Sequence, residues 1–276
     1  MLYISDLDGT LLDKSGLLSE FSINTIRKFI KKGGKFTIAS ARSIFTAGEF
    51  MEQLGIQIPV ILRNGAFIYE PVTKKAIESK LMSRIELSEV MKFFLCRDVH
   101  PILHHIEDGE FRVDYTGIHN YGEEHYFETR KKEGDKRLRM ISGYDPEVCT
   151  QCISICIIDD NEKLEKLHKE LVEGPGREFI IHRYIDNYSN HTWLEVNHRQ
   201  AGKGYAAHKL LEITGEKDYI AFGDNINDIE MLEGAMKAFI PEDSYLAEYG
   251  YPYNLIPSND EDGVARFLEA ISISEF

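Results

Sequence analysis

The sequence predicts an α/β protein, a parallel sheet with crossover helices interrupted by an inserted α+β block. Three observations predict it. Short apolar runs alternate with amphipathic segments at both ends of the 276-residue chain. Several of those runs stop at a polar or acidic residue beside a glycine, as strands do when they end at a ligand site. In the middle of the chain the alternation gives way to closely spaced strand candidates. The expected division is residues 1–81 and 199–276 for the parallel-sheet part and 82–198 for the insert.

Taken in order, Leu2-Tyr3-Ile4 is an apolar run that stops at Ser5, followed by carboxylates at Asp6 and Asp8 and a turn at Gly9. Two acidic groups two residues apart repel unless something positive sits between them. A hard cation with oxygen ligands, such as Mg²⁺, is the simplest answer; a solvated acidic turn is the alternative. Ser22 reads as the N-cap of a helix carrying Ile23, Ile26, Phe29 and Ile30 at helical spacing, and Gly33-Gly34 as its stop. Lys35 to Ala39 reads as a strand ending at Ser40-Ala41-Arg42. The next helix is expected to bury Phe45, Phe50, Met51 and Leu54. A third strand, Pro59 to Leu62, ends at Asn64-Gly65, and Ala66 to Tyr69 with a segment near Ala76-Ile77 forms a short antiparallel extension.

In the insert, a helix from Leu87 to Arg97 precedes strands at Pro101–Ile106 and Glu110–Tyr115. Residues 116–146 are polar and aromatic, and their charge run at 130–137 reads as a solvated face. A cysteine-bearing strand, a helix from Glu162 to Val172 and strands at Glu178–Tyr184 and Thr192–Val196 complete it. The Cys149-x-x-Cys152 spacing suits a metal or redox site, but no second pair accompanies it, and among apolar neighbours cysteine acts as a small hydrophobe. His104, His105, Arg112, Tyr115, His182, Arg183 and Trp193 are the insert's chemically capable residues. Successive strand residues point to opposite faces, so at most one of His104 and His105 faces a site.

The alternation resumes at Gly202. A helix through Tyr205 to Ile213 stops at Gly215, and the strand Tyr219 to Phe222 ends at Gly223-Asp224. A helix around Ile229, Met231 and Leu232, strands at Ala238–Ile240 and Leu255–Ile256, and a terminal helix from Val264 to Ile271 follow.

Hydrophobic residues at 43% and charged residues at 28% fit an ordinary soluble protein. The formal charge of −14 argues against a nucleic-acid or anionic-membrane partner. An acidic protein that binds phosphate must use local groups: a metal, one lysine, backbone N–H groups. No apolar run approaches the ~20 residues of a membrane span. Aspartates interrupt the first apolar stretch and no Lys or Arg precedes it, so no signal peptide and a cytoplasmic location are expected.

Further polar groups stand where these strands end or helices begin: Ser40, Lys203 within Gly202-Lys203-Gly204, and Asp224 and Asp228 flanking Asn225-Ile226-Asn227. Each alone fits a turn or a helix cap. Together, in chain order with Asp6 and Asp8, they resemble the motifs of the haloacid dehalogenase superfamily, and within it the Cof-type branch. Asp6-Leu7-Asp8-Gly9-Thr10-Leu11, Ala39-Ser40-Ala41-Arg42, Lys203 and Gly223-Asp224-Asn225-Ile226-Asn227-Asp228 match its four motifs. Asn64-Gly65-Ala66 and Ser258 to Val264 also fit. Ala41 replaces a usual glycine, and Ala238 to Asp243 lacks a common Gly-Asn turn.

The resemblance implies a Rossmann-like parallel-sheet core with an inserted α+β cap domain. It implies a Mg²⁺-dependent phosphatase acting on a small phosphorylated metabolite, a sugar phosphate or nucleotide-like cofactor, through an aspartyl-phosphate. In that reading Asp6 is the nucleophile and Asp8 the general acid and base. Ser40, Lys203 and Asn227 bind phosphate. Asp6, the main-chain carbonyl of Asp8 and Asp224 hold Mg²⁺, while Asp228 braces the metal shell and Lys203. A monomer or small homo-oligomer is expected. A phosphomutase of similar fold, or a binding protein on the same scaffold, remains open from sequence.

Overall fold

Strands covered on both faces lose the apolar–polar alternation, and β1 (Leu2–Ser5) is buried at every position. The computed structural model describes residues 1–144, 151–185 and 191–274. These residues divide into two units, 1–79 with 201–276, and 80–200.

In the first unit, β1 leads into α1 (Glu20–Lys31), β2 (Lys35–Ile38), α2 (Ile44–Leu54), β3 (Val60–Leu62), β4 (Phe67–Glu70) and β5 (Lys75–Ser79). The cap of α1 is Ser19, not Ser22: the Ser19 hydroxyl accepts from the Ser22 N–H, while Ser22 lies buried inside the first turn and donates to Asp262. Helix α2 buries Ala47, Phe50, Met51 and Leu54, but Phe45 is 60% exposed, because it sits off that stripe.

The second unit holds α3 (Arg84–Leu95), β6 (Ile102–Glu107), β7 (Glu110–Tyr115), α4 (Tyr121–Lys132), β8 (Leu138–Met140), β9 (Cys152–Asp159), α5 (Asn161–Glu173), β10 (Ile180–Ile185) and β11 (Thr192–Asn197). Glu178, expected in a strand, closes a 3₁₀ turn begun by Pro175. The six strands order as β10-β11-β9-β6-β7-β8. Residues of α3 and α5 pack with Leu103, Ile155, Ile157, Leu194 and Val196 on one face. Phe127 of α4 packs with Ile102, Val113, Cys156 and Ile158 on the other. Helix α4 falls in the stretch expected to be polar and aromatic, and only its last three residues belong to the charge run at 130–137. It offers one large buried apolar side chain, Phe127, and its last turn is Arg130-Lys131-Lys132. The cap supplies what the apolar pattern lacks: the Asn120 side chain accepts from the Glu123 N–H.

The chain returns to the first unit through α6 (Lys203–Thr214), β12 (Tyr219–Phe222), α7 (Ile229–Glu233), β13 (Lys237–Pro241), α8 (Tyr245–Glu248), β14 (Asn254–Ile256) and α9 (Gly263–Ser274). The sheet order is β14-β13-β12-β1-β2, every pairing parallel. Leu2, Ile4, Tyr219 and Ala221 face Ala206, Leu210, Met231 and Leu232. The opposite face meets α1 and α9 through Tyr3 on Phe29 and Phe222 on Phe267. Each such side chain, fully buried, stabilises by roughly 1.5–3 kcal/mol. From β1 the order runs to β2 on one side and through β12, β13 and β14 on the other, so the carboxyl ends of β1 and β12 flank a topological switch point. Among the described residues no helix is long and apolar enough to cross a membrane.

Glu123 of α4 is buried, and that burial, with the Asp159 charge adding, pushes its carboxyl up to about 7 against the His119 N–H that it accepts. A carboxyl raised on folding contributes stability below its unfolded value and loses it as pH rises through 7. Glu123→Gln keeps the shape and removes the charge. It should raise the melting temperature at pH 8 and leave it nearly unchanged at pH 5, by thermal denaturation; an equal shift at both would contradict this.

Candidate active site

Parallel pairing aligns strand ends. Ser5 lies beside Phe222 and Ile38, so Asp6, Gly223-Asp224 and Ala39-Ser40 emerge along one edge. The Asp6 N–H donates to the Phe222 carbonyl at 2.9 Å and the Ala39 N–H to Ser5 at 2.8 Å, which ties all three exits together.

Lys203 is the first residue of α6, and its side chain is buried. The ammonium donates to Asp6 Oδ1 at 2.8 Å and Asp228 Oδ1 at 2.6 Å. The other Asp228 oxygen accepts from the N–H groups of Asp224 and Asn225 at 3.0 and 3.1 Å, so both its oxygens are engaged. Thr10 donates its hydroxyl to Asp224 Oδ1 at 3.0 Å. Gly9 has φ +81°, and a Cβ there would lie 2.4 Å from Asp224 Oδ2, so both conformation and space require glycine. At Gly65, φ +96°, a Cβ would meet the Gly202 carbonyl oxygen at 2.3 Å. The residue before Lys203 thus packs against the turn after β3, where Arg63 and Asn64 are also left-handed.

Three carboxylates surround one ammonium. Burial, helped by Asp228 and Asp8 and opposed by Lys203, pushes the Asp6 carboxyl up to about 7. Burial and the charges of Asp228 and Asp6 raise Asp224 well above the carboxylate range. Burial alone would lower Lys203, but Asp228 and Asp6 hold it well above the usual lysine value. The cluster is short of positive charge. Ligand oxygens of Asp6, Asp224 and Asp228 lie within 4.8 Å of one another, an all-oxygen set that fits a hard divalent cation.

The Asp8 side chain is outside that group. Arg42 donates to both its oxygens, Nε at 2.8 Å and Nη2 at 2.6 Å. Ser40 is buried, and its hydroxyl oxygen accepts from the Arg42 N–H at 3.1 Å, which leaves its own proton to donate elsewhere. Asn227 donates to the Asn64 side chain at 3.1 Å, and the Asn64 N–H bonds the Ser40 carbonyl.

The structure therefore gathers Asp6, Lys203, Asp224 and Asp228 into one bonded set and places Asp8 with Ser40 in a neighbouring one through Arg42. Asn227 connects through Asn64. Thr10, Arg42 and Asn64 were not singled out from sequence, although each lies inside a motif quoted there. In the other unit, His104 and His105 are both buried, with Ser154 and Asp114 as partners at 3.0 and 2.9 Å. Cys152 and Cys156 are buried strand residues; Cys149 lies outside the described residues.

The sequence pattern of the haloacid dehalogenase-like hydrolases matches residues 3–268. Pyridoxal phosphate phosphatase YbhA of Escherichia coli is 24% identical over 269 residues, 95% of either chain. The 5-amino-6-(5-phospho-D-ribitylamino)uracil phosphatase YwtE of Bacillus subtilis is 25% identical over 295 residues, 98% of either chain. A haloacid dehalogenase-like hydrolase from Bacteroides thetaiotaomicron superposes with a TM-score of 0.78 at 20% identity, covering 98% of both chains.

Removing Lys203 would leave three buried carboxylates facing one another. Lys203→Met should lower the unfolding free energy at neutral pH by about 3–5 kcal/mol, the cost of stranding buried charge, as read by urea denaturation. A variant as stable as the parent would contradict the pairing.

Proposed function

The chain belongs to the haloacid dehalogenase-like hydrolases, as the match across residues 3–268 shows, and we propose that it hydrolyses small phosphorylated metabolites with Mg²⁺ through a phosphorylated Asp6. The observation that carries this reading is the Lys203 ammonium bridging Asp6 and Asp228 at the carboxyl end of β1, with Asp224 within ligand distance. Relatives of full length support the substrate class: one acts on pyridoxal phosphate and another on a phosphoribitylamino-uracil.

Phosphate monoesters resist hydrolysis so strongly that enzymes accelerate it by up to ~10²¹-fold. The dianion repels a carboxylate nucleophile, so charge must be neutralised before attack. Mg²⁺, held by Asp6, the Asp8 main-chain carbonyl and Asp224, would supply that neutralisation. Lys203 is already directed at Asp6 Oδ1, where a phosphoryl oxygen would lie beside the attacking carboxylate. Its compact charge suits phosphate, and Asp228 holds it in place from the other side. Ser40, whose hydroxyl oxygen accepts from the Arg42 N–H, keeps its proton to give to a phosphoryl oxygen. Asn227 reaches a further one.

Asp6 attacks phosphorus, and Asp8, protonated on entry to this step, gives that proton to the departing ester oxygen and is left as the carboxylate. Asp8 then takes a proton from water as the water attacks the aspartyl-phosphate, regenerating Asp6 and releasing phosphate. Splitting the reaction at a covalent intermediate replaces one hard step with two easier ones.

The test is phosphate release from a panel of phosphorylated metabolites and an aryl phosphate, with Mg²⁺ and with EDTA. Release that EDTA abolishes is the expected result, and Mg²⁺ should also raise the melting temperature of the parent. Asp6→Asn keeps the shape and removes the nucleophile, so its release should fall by at least about 10⁴-fold, as for losing a residue central to the chemistry. Near-normal turnover by that variant, or release indifferent to EDTA, would overturn the reading.

A further inference from the structure

Asp8 follows Asp6 by two residues, yet its carboxylate does not join the three around Lys203. A fourth carboxylate there would add like charge to Asp6 and Asp224, which burial first and neighbouring carboxylates second already raise. Arg42 draws it elsewhere. The contact is side-on and two-pronged, so it fixes the plane of the carboxylate as well as its position. Arg42 is itself held. Its main-chain N–H bonds Ser40 Oγ, its carbonyl accepts from the Arg63 N–H, and its guanidinium stacks over the Phe50 ring at 5.0 Å. Phe50 is a buried residue of α2, so the clamp is mounted on a rigid element.

We propose that Arg42 is the positioning residue for Asp8: it keeps the proton-transfer carboxylate clear of the cation cluster and presents it to the leaving oxygen. The proposal rests on the reading of Asp8 as acid and base given above. The spacing Ser40-x-Arg42 then delivers two functions from one strand end, a hydroxyl turned to donate and an arm for Asp8. Lysine would not substitute, because a single ammonium cannot fix the carboxylate plane.

A positioning role for proton transfer has a signature that a phosphate-binding role lacks. An alkyl leaving group needs a proton as it departs, whereas an aryl phenolate needs one far less. In Arg42→Ala, kcat for the best alkyl phosphate of the panel should fall by about 10²–10³-fold, the scale of general acid–base assistance, with KM changed by less than about threefold. For an aryl phosphate the loss should be at least about tenfold smaller. Added guanidinium should restore part of the alkyl activity to Arg42→Ala but none to Asp8→Asn. Arg42→Lys should remain well below the parent.

A readout without turnover accompanies these. In metal-free protein, Arg42→Ala and Asp8→Asn should each lower the melting temperature, and the double variant should fall no further than the worse single one. Equal loss on both esters through KM would make Arg42 a phosphate clamp and overturn the proposal. So would faster alkyl turnover in Arg42→Ala, since the arm would then sequester Asp8, or additive losses of stability. If the parent releases phosphate and Arg42→Ala matches it, this inference alone fails; if the parent releases none from any ester, the phosphatase reading fails and takes this inference with it.

Discussion

One buried ammonium set among three buried carboxylates is the constraint to which the rest of the first unit conforms. Lys203 reaches Asp6 across 197 residues of sequence and Asp228 across 25. Those meetings require the pairing of β1 with β12 and the placement of α6 so that its first residue faces the strand ends. They also require two glycines: Gly9, because any Cβ would strike Asp224, and Gly65, because any Cβ would strike the residue before Lys203. The arrangement is expensive without a cation, since burial disfavours each carboxylate and one lysine cannot balance three. That same shortage suits a site for a divalent ion and a phosphate dianion in a chain whose overall charge is −14. Attraction for the anion has to be local, and the structure keeps it local.

The site separates two kinds of carboxylate chemistry by their partners. Asp6 and Asp224 share their surroundings with like charge, so they favour a cation. Asp8 has an arginine of its own. In the proposed reaction the first kind holds metal and attacks phosphorus while the second moves protons, and the division follows from which positive group each one meets.

Much of the sheet was legible in sequence because its strands are short apolar runs ended by polar residues. Tyr219 to Phe222 was read with the bounds the structure gives, and Asp6, Lys203, Asp224 and Asp228, singled out as one constellation, do meet. Helix α4 was missed because only Phe127 among its large side chains is fully buried, so the amphipathic stripe that marks a helix is nearly absent. Phe45 misled for the converse reason: an aromatic near a helix start suggests core, but the buried stripe of α2 begins at Ala47. Ser22 resembles a cap in sequence because serine suits that role, whereas Ser19, three residues earlier, occupies it. Arg42, Thr10 and Asn64 could not be assigned from spacing, because their partners Asp8, Asp224 and Asn227 are chosen by tertiary packing.

The most direct test of the central claim, that Asp6 becomes phosphorylated beside Lys203, is mass mapping of the protein after a rapid acid quench during turnover with Mg²⁺. In Asp8→Asn given an aryl phosphate, whose leaving group departs with little need of a proton, the nucleophile is retained but water is not activated, so a phosphoryl group should accumulate on the peptide containing Asp6, and Asp6→Asn should carry none. Turnover by the parent with the phosphoryl group on another residue, or no label on Asp6 in Asp8→Asn under conditions where substrate is consumed, would contradict the account.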